Sequence, residues 1–185
     1  EEIEAGNKTV YVFALAILFV FLVLAALYES WKVPFAVMFS LPAGVFGASV
    51  FAYLMNQQNN LYFQIGLLAV IGLAAKNAIL IIEYAKVRVD ERGMDPVSAA
   101  IEAAKIRLRP IIMTSLAFVV GSVPLAIATG AGAASRVTMG ITVVFGTSIA
   151  TIFGVFLIPM MFIIVETFGH KRVRPKQEVG RLKDM

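Results

Sequence analysis

The sequence predicts an all-α fold: a polytopic membrane bundle of five transmembrane helices. Three observations lead there. Hydrophobic residues make up 59% of the 185-residue chain, charged residues only 15%, and the mean hydropathy is +0.85, values that belong to lipid-embedded rather than water-soluble proteins. Apolar runs near the length needed to cross about 30 Å of hydrocarbon recur five times. Strand-like alternation is absent, and in lipid an open sheet edge would leave its backbone unsatisfied.

The elements follow in order. Residues 1–8, "EEIEAGNK", form a polar stub on the outer side. The first span covers 9–28 and ends at "YESWKVP". The second, 33–54, ends at the polar "NQQNN". The third, 61–84, contains Lys76 within "GLAAKNAIL". A polar stretch follows, in which Asp95 can cap a helix and Pro96 fits its first position, where a missing N–H costs nothing. Val97, Ala100, Ile101 and Ala104 fall at helical spacing, so 95–107 reads as a short amphipathic helix along the cytoplasmic surface, with a solvated connector as the alternative. The fourth and fifth spans cover 110–130 and 139–165, and the charged residues 169–185 lack any apolar period and read as a disordered cytoplasmic tail. Because the chain begins without Met or a signal peptide, it reads as a piece of a longer polypeptide.

Basic residues set the orientation. Lys32, six in the loop from Lys86 to Arg109 and six in the tail would lie on one side, against Lys8 and Arg136 on the other. That asymmetry places the C-terminus in the cytoplasm and the N-terminus outside. It also accounts for the basic charge without nucleic acid as a partner. Cysteine is absent, which excludes disulfides, thiolate metal sites and cysteine nucleophiles; no cofactor or bound metal is expected.

Lys76 carries the functional argument. An ammonium at the centre of a span costs roughly 2.5–3.5 kcal/mol on insertion scales, so it needs a partner. None of the 12 acidic residues lies at its depth. Glu83, seven residues on, shares its helix face but sits about 10 Å further along the axis, and the interfaces are too distant for snorkelling. The partner must be a carboxylate from a segment outside this chain. Arg107 and Thr114, also seven apart, share a face with Ile111 and Phe118, offering a cation at the inner mouth and a hydroxyl two turns up. These are parts of a hydrogen-bonded proton route. The alternative is that Thr114 and Ser115 bond back to their own helix while Arg107 anchors at headgroups. Gly146, Ala150 and Gly154 form a small-xxx-small ladder suited to close helix packing, as do Gly44 and Gly47 one turn apart. Pro42, Pro124 and Pro159 lie inside spans and predict kinks.

Three wordings, "LAALYESWKVPF", "LYFQIGLLAVIGLAAKNAILIIEYAK" and "RLRPIIMTSLAFVVGSVPLAIATGAG", resemble the C-terminal membrane segments of resistance-nodulation-division efflux pumps of the AcrB type, a likeness that covers about residues 1–168. The resemblance implies a proton-driven, trimeric multidrug pump of the Gram-negative inner membrane, with twelve helices, of which these would be the eighth to twelfth. It implies a periplasmic adaptor and an outer-membrane channel as partners. It also implies that the lysine matching Lys76 pairs with two aspartates on the fourth helix, and that Arg107 and Thr114 complete the relay. The resulting expectation is secondary active transport, not enzymatic conversion. Other classes stay open: a structural or assembly membrane subunit with Lys76 as a register-fixing pair, an exporter of metal ions, and a retinal-type photoreceptor, which the lack of a nearby counter-ion disfavours.

Overall fold

A computed structural model describes residues 2–28, 31–57 and 60–169. It consists of five helices: α1 (Glu2–Tyr28), α2 (Lys32–Leu54), α3 (Leu61–Arg92), α4 (Pro96–Ala126) and α5 (Ala133–Gly169). All five are long and apolar enough to cross a membrane, and no strand occurs among the described residues. The helical class and the number of spans are those the sequence predicts.

The bounds differ in instructive ways. Residues 2–8, expected as a stub, continue α1, and α3 runs eight residues past the expected end at Tyr84. The surface helix expected over 95–107 and the span expected over 110–130 are one helix, α4, which passes through Pro110 without a break. Proline removes one backbone donor, and membrane helices tolerate that loss. Ala99, Ala100 and Ala103 are fully buried, whereas Val97 and Ile101 are exposed. Small side chains therefore let the start of α4 lie close against α3. Helix α4 ends at Ala126 rather than 130, and in the turn that follows Gly130 and Gly132 take left-handed backbone with φ of 88° and 70°. The expected tail lies outside the described residues apart from Gly169, which closes α5.

Local chemistry fixes the turn that matters for the site. Gly93, at φ 62°, terminates α3, and its N–H donates to the Val89 carbonyl at 3.1 Å while Met94 N–H donates to Arg88 at 3.3 Å. This is the doubly bonded glycine cap that commonly closes helices. Two residues later Asp95 accepts from Val97 N–H at 3.2 Å, with Pro96 opening α4. The result is a tight antiparallel hairpin of α3 and α4. At the other end of the bundle Asn60 caps α3 by accepting from Phe63 N–H at 3.0 Å, and Thr138 on α5 donates to Gln57 at 2.7 Å.

Helix α5 lies against α2, α3 and α4. Close approach is steric. A Cβ added at Gly146 would meet Val70 Cγ2 at 2.7 Å and Ala48 Cβ at 3.0 Å, and one at Gly140 would meet the Ala126 backbone N at 2.4 Å. Ala150 packs against Gly44, whose added Cβ would meet it at 3.1 Å. Gly154 differs: its Cβ would touch only Ile158 of its own helix, at 3.4 Å. Helix α1 is held at its C-terminal end, where Leu24 and Tyr28 are buried and Phe21 packs edge-on to Phe35 at 5.2 Å. There Lys86 Nζ donates to the Tyr28 carbonyl at 2.7 Å, placing a cation on the carbonyl end of α1.

Candidate functional site

Lys76 sits midway along α3 and is exposed on the bundle surface, between the buried Ala75 and Asn77. Among the described residues it makes no hydrogen bond and no ion pair. The five helices thus present the ammonium outward instead of pairing it internally. That agrees with the charge count, which leaves no carboxylate at its depth.

Beside Lys76 is a cleft of about 60 Å³ between α3, α4 and α5. Its buried floor is polar: Asn77 from α3, Ser115 from α4 and Thr147 from α5. Lys76, Thr114 and Phe118 are its exposed edge. Asn77 Nδ2 donates to Ser115 Oγ at 3.3 Å, a side-chain bond that ties α3 to α4 in the core. Thr114 turns its hydroxyl proton back to its own helix, to the carbonyls of Pro110 at 3.0 Å and Ile111 at 3.2 Å. Its oxygen keeps lone pairs for an incoming donor. Lys76 and Thr114 therefore meet at one cleft, one as donor and one as acceptor.

Arg107 does not line that cleft. It lies two turns before Thr114 on α4, half-buried, with its guanidinium over the Tyr84 ring at 5.1 Å. Arg88 lies over the same ring at 4.6 Å, donates to the Tyr84 hydroxyl and is ion-paired with Glu102. The hairpin register makes this cluster, since 84 and 88 on α3 face 107 and 102 on α4. Arg107 Nε is buried without a protein hydrogen-bond partner. The ring supplies its favourable electrostatics, because an aromatic face attracts a cation.

Sequence reasoning did not single out Asn77, Tyr84, Arg88 or Thr147. Asn77 carried a usable signal, a second polar side chain adjoining the lysine in an apolar run. Tyr84 carried another, as it lies two turns beyond Lys76 at the mouth where Arg107 was expected. Thr147 carried none, being one hydroxyl among several on α5.

The model of the AcrB/AcrD/AcrF family matches the chain over residues 1–166. Over 97% of its length the chain is 51% identical to the toluene efflux pump membrane transporter TtgB of Pseudomonas putida strain DOT-T1E. It is 49% identical over 89% of its length to the solvent-resistant pump membrane transporter SrpB of Pseudomonas putida, and 47% identical over 90% to the multidrug resistance protein MdtF of Escherichia coli O6:H1. The chain spans 17% of TtgB and 16% of each of the other two.

Proposed function

The chain belongs to the AcrB/AcrD/AcrF family, and from that membership we propose that it is the C-terminal membrane part of a proton-coupled efflux transporter for organic compounds. In this reading α1 to α5 are the last five of twelve helices in a homotrimer of the Gram-negative inner membrane, with the C-terminus cytoplasmic. A periplasmic adaptor and an outer-membrane channel carry the exported compound onward. The names of the relatives support organic cargo, since they speak of toluene, solvent and multiple drugs.

One observation carries the proton coupling: Lys76 is exposed on the face of an apolar helix, without an acidic partner among the described residues. An ammonium at that depth requires carboxylates, and the missing N-terminal helices supply them as aspartates. When the acids take up protons from outside, their hold on the ammonium weakens, and Lys76 turns toward neutral acceptors, of which Thr114 lies at the exposed edge of its own cleft. Release of those protons toward the cytoplasm, past Arg107, restores the pairing. An amine suits the task because it stays charged while the acids titrate. Coupling is then the difference in pairing of one charge between two states. No bond of the exported compound is made or broken.

The experiment is Lys76→Ala in the full-length transporter, assayed by pH-gradient-driven export of a lipophilic cationic dye from everted vesicles. Export should be lost while insertion and trimer assembly persist. Wild-type export in that variant would remove Lys76 from the mechanism and leave membership of the family without a coupling site in this chain.

A further inference from the structure

The polar floor of the cleft contains a group that the relay does not use. Thr147 is 2% exposed, and its Oγ1 has no hydrogen-bond partner among the protein atoms. Its neighbours on α5 behave differently: Thr142, Ser148 and Thr151 each donate to the carbonyl four residues earlier, at 2.7–2.8 Å. Thr147 alone among these hydroxyls makes no such bond, and it lines the cleft shared with Lys76. A buried hydroxyl left without a partner is costly, and such groups are ordinarily satisfied by an internal water.

The cleft meets the requirements for one. About 60 Å³ is open to the centre of a water-sized sphere, more than the roughly 10–15 Å³ that one water needs. A buried water also requires two to four polar partners. Thr147 offers both a donor and an acceptor. Ser115 Oγ accepts from Asn77 and retains its own proton, and Asn77 has used its amide N–H₂ side toward Ser115, which leaves its carbonyl oxygen as a further acceptor. The edge residue Lys76 supplies a donor from outside.

We propose that Thr147, Asn77 and Ser115 form an internal hydration site whose water solvates the Lys76 ammonium from the bundle side. Thr147 is then a positioning residue: it anchors the water and does not itself carry the proton. The inference rests on the coupling role of Lys76 given above and adds to it. A released ammonium finds, besides the Thr114 oxygen, a hydrated interior pocket, so the unpaired state is less unfavourable and more readily visited. The water also gives protons passing between the acids and the inner mouth a hydrogen-bonded stop that a dry apolar cleft could not provide.

The test uses the full-length transporter, wild type and with Thr147→Val or Thr147→Ser, in proton-step infrared difference spectra recorded in H₂¹⁶O and H₂¹⁸O. The wild type and Thr147→Ser should show a water O–H stretching band that shifts with the isotope, and Thr147→Val should lack it. Dye export should fall about three- to tenfold in Thr147→Val, the order expected for one lost hydrogen bond, and by less in Thr147→Ser. A wild type without the isotope-sensitive band, or a Thr147→Val variant that keeps both band and export, overturns the proposal. Should Thr147→Val fail to assemble, a density map of the wild type decides: a water within hydrogen-bond reach of Thr147 Oγ1 supports the site, and an unhydrated cleft removes it. Failure of the two readings is separable. Full export by Lys76→Ala with the band present sinks the coupling role and leaves the hydration site, whereas a dead Lys76→Ala variant with a dry wild-type cleft does the reverse.

Discussion

Gly146 and Gly154 look equivalent in the sequence, yet alanine at the two positions should have opposite effects. At Gly146 a methyl group would sit 2.7 Å and 3.1 Å from the two Cγ atoms of Val70 and 3.0 Å from Ala48 Cβ, all on other helices. Val70 is fully buried. Overpacking of this kind costs about 1–3 kcal/mol, against a gain of at most about 1 kcal/mol from replacing glycine inside a helix. At Gly154 the nearest atom is Ile158 Cδ1, at an ordinary 3.4 Å, so the helix-propensity gain should stand nearly alone. Thermal unfolding of the purified full-length transporter in mild detergent should therefore show a lower midpoint for Gly146→Ala and an unchanged or slightly higher one for Gly154→Ala. Val70→Ala removes both offending Cγ atoms. Combined with Gly146→Ala it should recover about 1 kcal/mol relative to the sum of the single changes, a coupling typical of residues in direct contact. Equal midpoints for the two glycine variants, or strict additivity with Val70→Ala, would show that α5 is not seated on Val70 as described. The seating bears on function because Thr147 follows Gly146 directly, and any displacement of α5 here moves its hydroxyl relative to the cleft.

Other expectations concern the site itself. Ser115→Ala should lower the thermal midpoint, because it leaves the buried Asn77 amide without its acceptor at a cost of about 1–3 kcal/mol, whereas Thr114→Ala should reduce dye export with a midpoint near wild type. Tyr84→Phe keeps the ring beneath Arg107 and removes only the hydroxyl that Arg88 uses, so it should export better than Tyr84→Leu; equal defects would count against the role of the ring. Asp95→Ala should cost about 1 kcal/mol through the lost cap and raise protease cutting at residues 93–95 in inside-out vesicles, and unchanged cutting would mean that the cap does not hold the hairpin.

Span number and helical class were legible because they depend on length and hydropathy alone, which tertiary contacts do not alter. The isolation of Lys76 was legible for a similar reason: counting carboxylates by depth needs no coordinates. The Asp95 and Pro96 start of α4 was legible because capping is local. What could not be read depended on contacts between helices. Continuity through Pro110 is decided by whether the surroundings tolerate one lost backbone bond, and the local sequence around a proline does not state that. Which residues of 96–107 pack inward also depends on such contacts: Ala99, Ala100 and Ala103 are buried and Val97 and Ile101 exposed, a choice that apolar periodicity does not state. Arg107 was expected on a shared face with Thr114, but it does not reach the cleft that Thr114 edges. Its actual neighbour, Tyr84, follows from the register of a hairpin closed at Gly93.

The two sites on the α3–α4 hairpin use the same economy of charge by different means. At the hairpin end Arg88 has a carboxylate within the chain and both guanidiniums lie over one aromatic ring, so the cations are held in place by groups of their own bundle. At the centre Lys76 has only neutral oxygens beside it and must look outside the five helices for an anion. A cation satisfied within its own bundle has little reason to move. One suspended, as proposed, between external carboxylates and an internal polar cleft would have two alternatives, and their balance would shift with the protonation of the carboxylates. The position of Lys76 at the boundary of this bundle, and not in its core, is thus the feature that would let a proton held by one set of helices alter the placement of another.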